Sequence, residues 1–170
     1  MIVGEDLFVF FYELVRSSVR TSESTVFYVS RMLADVRGLD EGPFGTRLLS
    51  SREPTVLRSV GDGSLFISGF FPERIVYRGM SKNYYAQVGS TAYSVLADIV
   101  PKSARDLYEE LSQSFPHLQR ALEGVRERCD AMGMDAGDAA MKWLQTGSPI
   151  LERRLTELGW NLSGRPAQKS

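Results

Sequence analysis

The sequence predicts an all-α fold, a single compact orthogonal bundle of about seven or eight helices. Three observations predict it. Apolar residues recur at three- and four-residue spacing through most of the chain. No segment alternates strictly enough to read as one of a pair of strands. Pro, Gly and Ser/Asp signals punctuate the apolar stripes at helix-length intervals. With 170 residues and 43% hydrophobic content, the chain is long enough to bury a sizeable core. One helical domain is expected over residues 1–160, followed by a mobile polar tail over 161–170 that contains Gly164 and Pro166.

The elements follow in order. Glu5 to Arg20 carries an apolar stripe of Leu7, Phe8, Phe11, Leu14, Val15 and Val19, with acids at its start and Arg16 and Arg20 at its end. Thr25 to Val36 repeats the pattern, although Val26-Phe27-Tyr28-Val29 is β-prone and a strand competes. Gly38 ends this element, and Asp40 to Gly45 is a loop by composition. Thr46 to Ser51 suits a short helical turn. Pro54 opens the next helix, which runs through Val60 and is then kinked or ended by Gly61-Asp62-Gly63.

Ser64 to Phe71 is a short apolar run, read as helix because Phe66/Phe70 and Ile67/Phe71 pair at i,i+4. Pro72 to Ile75 follows as a turn or a helix restart. Ser81 to Ile99 has the clearest helical face, through Tyr84/Tyr85, Val88, Ala92, Val95/Leu96 and Ile99, and Pro101 ends it. Ser103 with Asp106 resembles a capping box before Leu107, Tyr108, Leu111 and Phe115. Pro116 opens or kinks the helix that carries Leu118, Leu122, Val125 and Cys129. Gly133 breaks the chain, Asp135 to Leu144 forms a helix, and Ser148-Pro149 starts the last one through Ile150, Leu151, Leu155 and Leu158.

Within this order one stretch is distinctive: Gly61-Asp62-Gly63-Ser64-Leu65-Phe66-Ile67-Ser68-Gly69-Phe70-Phe71-Pro72-Glu73, followed by Tyr84-Tyr85, Gly89, Ala92-Tyr93 and Leu96-Ala97. It resembles a family of uncharacterised bacterial helical proteins of similar length. The resemblance implies a bacterial source and a helical domain, and it assigns no activity.

Composition narrows function. Residues 1–85 carry ten basic and ten acidic residues, and the whole chain has a net charge of −1, which argues against non-specific nucleic-acid binding. A lone Cys129 makes no internal disulfide and suits a reducing compartment. Glu5, Asp6 and Glu13 interrupt the apolar N-terminus, unlike a signal peptide, and no run reaches membrane-spanning length. The expected location is the cytoplasm, with no membrane partner.

Catalytic signatures are absent: there is no G-x-S-x-G, H-E-x-x-H, C-x-x-C or phosphate-binding loop. No metal and no cofactor is expected. Asp62 reads either as a metal ligand or general base, or as a turn residue capping the next helix. Gly69 and Gly89 either let helices cross closely or open space for a ligand. Phe66, Phe70, Tyr84, Tyr85 and Tyr93, with Asp62 and Glu73, either form a core with satisfied phenols or line a small-molecule pocket.

Three functional expectations result. The first is a non-enzymatic protein–protein interaction or self-associating module, which requires a large exposed apolar patch on one helix face. The second is a small-ligand-binding or sensory domain with an aromatic-lined pocket. The third is an enzyme using Asp62, Glu73 and a tyrosine around a shared cleft.

Overall fold

The structure is a computed structural model, and it describes residues 4–35, 39, 42–72, 75 and 79–131. The expected helices Asp135–Leu144 and Ile150–Leu158, the tail over 161–170, and Glu73 lie outside the described residues. Among those described, seven α-helices and one π-helical turn form an all-α bundle without strands.

The first pair is α1 (Gly4–Ser18) and α2 (Glu23–Ala34), packed on each other. The β-prone Val26-Phe27-Tyr28-Val29 is helical, because Val26, Val29 and Leu33 fall on one buried stripe that a strand would split between two faces. Ser22 caps α2, accepting from the Thr25 N–H at 3.3 Å.

Glu110, from a distant helix, locks this cap. Its Oε1 accepts from Ser22 N at 3.0 Å, from Ser22 Oγ at 2.5 Å and from Thr25 Oγ1. Burial opposes the charge on Glu110, but these donors outweigh it and hold its carboxyl below the usual range. The folded state therefore gains stability above the unfolded pKa and loses it as pH falls through the lowered folded value. Glu110→Ala is expected to cost about 1–2 kcal/mol at pH 7. In urea titrations that difference shrinks at pH 3; an equal cost at both pH values would show that the carboxylate charge is not what matters.

Next come α3 (Phe44–Ser50) and α4 (Pro54–Leu65), the latter opened by Pro54 as expected. Here the structure departs from expectation. Gly61-Asp62-Gly63 does not end the helix but lies inside α4. The reason for Gly61 is a neighbour: a Cβ there would sit 2.5 Å from Cε1 of Tyr93. This glycine lets the Tyr93 ring lie against the α4 backbone.

α4 runs directly into a π-helical turn, Phe66–Phe70. The widened turn brings Phe66, Phe70 and Phe71 inward together. Phe66 stacks on Phe70 at 5.6 Å, and Phe71 meets both edge-on at 5.1 and 5.2 Å. Arg126 Nη1 donates to the Phe70 carbonyl at 2.8 Å and satisfies an acceptor at the end of the turn.

The last three helices are α5 (Lys82–Ile99, N-capped by Ser81), α6 (Lys102–Gln113) and α7 (Phe115–Ala131). α5 packs between α4 and α6, while α7 covers the π-helical turn. Gly69 and Gly89 mark close crossings: a Cβ would meet Leu122 Cβ at 2.8 Å and Phe115 Cε2 at 2.4 Å. Gln119 binds the layers with a buried polar link, its Nε2 donating to Ser68 Oγ at 2.8 Å and to the Lys82 carbonyl at 3.2 Å. Cys129 is buried, and burial raises its thiol to about 11, so it behaves as a small apolar side chain. No helix among the described residues is long and apolar enough to cross a membrane.

Candidate functional site

Because α4 continues through Asp62, Arg58 and Asp62 sit one turn apart on the same face, beneath α2 and α6. These three elements enclose a cleft of about 670 Å³. Its apolar lining is Phe27, Tyr28 and Met32 from α2 and Leu107 from α6. Its charged groups are Glu23, Arg31, Asp35, Arg58 and Asp62.

Asp62 is partly buried at the floor. Tyr28 and Tyr93 both donate their hydroxyls to its Oδ1, at 2.6 and 2.7 Å. No described group hydrogen-bonds Oδ2, and Asp62 is among the residues that line the cleft. Burial raises the Asp62 carboxyl to about 6, against the two phenol hydrogen bonds and the Arg58 charge, which all favour the ionised form.

The phenols form a second layer. Tyr28 meets Tyr93 edge-on at 6.4 Å and Tyr108 at 5.9 Å, and Tyr93 lies beside Tyr108 at 6.2 Å. Burial, then the Asp62 charge, pushes the Tyr28 and Tyr93 hydroxyls well above their ordinary range. Both therefore stay protonated near neutrality and act as fixed donors. Arg58 Nε donates to the Tyr108 hydroxyl at 3.0 Å, which fixes the guanidinium beside the site. At the mouth, the Arg31 guanidinium lies over the Phe8 and Phe27 rings at 5.6 and 5.9 Å.

The residues singled out from sequence fall in different places. Asp62 and Tyr93 are joined by a hydrogen bond at the cleft floor. Phe66 and Phe70 are fully buried in the aromatic cluster of the π-helical turn and do not line the cleft. Tyr85 is buried against Phe44, and Tyr84, at the margin of the surface, lines with it a separate groove that includes Pro43 and Met80. Glu73 lies outside the described residues. Tyr28, Arg58 and Tyr108 complete the site and were not singled out. Their available signal was the i,i+4 spacing of Arg58 and Asp62, which is visible only if Gly61 is read as helical.

Among the described residues, no group of three or more His, Cys, Asp or Glu is arranged to hold a metal ion. Comparisons with family models, with curated proteins and with solved structures return no match.

Proposed function

We propose that this chain is a small-ligand-binding domain whose site is the cleft between α2, α4 and α6, with Asp62 as the anchoring group. The single observation that carries the reading is Asp62 itself. A carboxylate whose ionised form is disfavoured by burial, and whose Oδ2 no described group hydrogen-bonds where it lines a largely apolar cleft, weakens the fold unless something uses it.

The lining indicates the ligand's chemistry. Among the described residues, Glu23, Asp35 and Asp62 line the cleft with Arg31 and Arg58, and Asp62 is the carboxylate at its floor. Both guanidiniums are engaged, Arg58 by Tyr108 and Arg31 by two aromatic rings. The fitting molecule is a small amine whose apolar body lies against Phe27, Met32 and Leu107 while its ammonium meets Asp62 Oδ2. A cleft of this volume is within the range of small-molecule sites.

Isothermal titration with a matched pair, phenethylamine and phenylpropionate, tests the reading. Saturable binding of the amine alone is expected, lost in Asp62→Asn. Its affinity rises as pH increases through about 6, where Asp62 ionises, and then levels off. Equal binding of both probes, or an Asp62→Asn variant that binds the amine as well as the parent chain, would overturn it.

The interaction or self-association reading has less support. It requires one broad apolar patch, whereas the exposed large apolar side chains among the described residues are spread out. They are Val9 on α1, Phe27 on α2, Leu49 on α3, Ile99 at the end of α5, and Met80 with Tyr84, which share the groove beside Pro43.

A further inference from the structure

A second groove, of about 710 Å³, lies between the C-terminal end of α1 and one face of α7. His117, Arg120, Gly124 and Arg128 occupy one face of α7 at three- and four-residue spacing, and Arg20 faces them from the segment after α1. Among the described residues, no carboxylate lines the groove. Arg20, Arg120 and Arg128 form no ion pair among the described residues, whereas on the rest of α7 Glu123 is held by Lys82 and Asp130 by Arg126. Arg128 is steadied by a 2.7 Å hydrogen bond from its Nη1 to Ser17 Oγ.

Gly124 supplies an independent observation. Gly61, Gly69 and Gly89 are each explained by a side chain pressed against the helix where a Cβ would be. Gly124 sits in the middle of α7 with no described residue within 4 Å of that position. Glycine is disfavoured inside a helix relative to alanine, and no packing among the described residues accounts for it here. It lies one turn from Arg120 and one turn from Arg128, so it leaves bare backbone at the centre of a basic floor.

We infer that this groove binds the phosphoryl group of a small soluble phosphate or diphosphate ester, seated over Gly124 and clasped by Arg20, Arg120 and Arg128. Guanidinium groups match phosphate oxygens with paired N–H donors. The absence of a side chain at Gly124 lets the anion approach the helix closely. The N-terminus of α7, at the His117 end of the groove, adds a favourable dipole. This site shares no residue with the Asp62 cleft and stands independently of it.

The test is isothermal titration of the full chain with inorganic pyrophosphate in low-salt buffer. Saturable one-to-one binding is expected, weakened at least tenfold by Arg120→Gln and unchanged by Asp62→Asn. Gly124→Ala separates a binding role from a structural one: its thermal midpoint is expected to rise while its pyrophosphate affinity falls severalfold. No saturable binding would overturn the inference, as would a Gly124→Ala variant that binds like the parent chain. Co-sedimentation with phosphatidic-acid vesicles without binding of free pyrophosphate would overturn it too, since the site would then read a lipid surface.

Discussion

Asp62→Asn is expected to be more stable than the parent chain at pH 8, by about 1–3 kcal/mol, and indistinguishable from it near pH 4. The sign follows from linkage. The folded carboxyl is raised to about 6 from an unfolded value near 3.8. Between those values the folded protein holds a proton that the unfolded chain has lost, so stability falls as pH rises through this window. Above it both states are ionised and the penalty is constant, on the order of 3 kcal/mol for a shift of this size. Asparagine removes the charge but keeps a carbonyl oxygen for the Tyr28 and Tyr93 hydroxyls. Urea unfolding of both proteins from pH 4 to pH 8 measures the difference. A variant less stable than the parent at pH 8 would mean that the ionised carboxylate is itself a structural anchor, and the functional argument from its cost would fall.

Gly89→Ala is expected to destabilise the protein by about 2 kcal/mol, although alanine is the better helix former by about 1 kcal/mol. Its Cβ would lie 2.4 Å from Cε2 and Cζ of Phe115 and 3.0 Å from Cβ of Ser64. Phe115 is fully buried, so its ring has no free direction in which to retreat. Phe115→Leu relieves the clash, and the two substitutions together are expected to cost less than the sum of their separate effects. Strictly additive effects in chemical denaturation would show that the two positions do not press on each other.

The fold was legible where burial follows local periodicity. The expectation for Ser81 to Ile99 matches α5 within one residue, because a serine cap, an uninterrupted stripe and a following proline agree. The kink or end expected at Gly61-Asp62-Gly63 shows the limit, since the helix runs on through it. Glycine breaks a helix by propensity, but Gly61 is kept inside α4 by the Tyr93 ring, from a helix 32 residues further along the chain. Sequence alone does not carry that contact. The π-helical turn was equally illegible, since i,i+4 pairing of phenylalanines fits both helical forms.

The site was half legible for the same reason. Asp62 and Tyr93 drew attention as polar groups in an apolar stretch. Tyr28 stood in a β-prone run and Tyr108 on the stripe of another helix, and only the packing of α2 and α6 over α4 gathers them around one carboxylate. Phe66 and Phe70 drew attention by aromatic density, which reflects their place in the core.

The most direct measurement of the central claim is an amide ¹H–¹⁵N NMR titration of the parent chain with phenethylamine. Perturbations concentrated at Phe27, Tyr28, Met32, Arg58, Asp62 and Leu107, and absent in Asp62→Asn, are the predicted result. Perturbations centred instead on Tyr84 and Tyr85, or no saturable shifts at the residues of the Asp62 cleft, would contradict it.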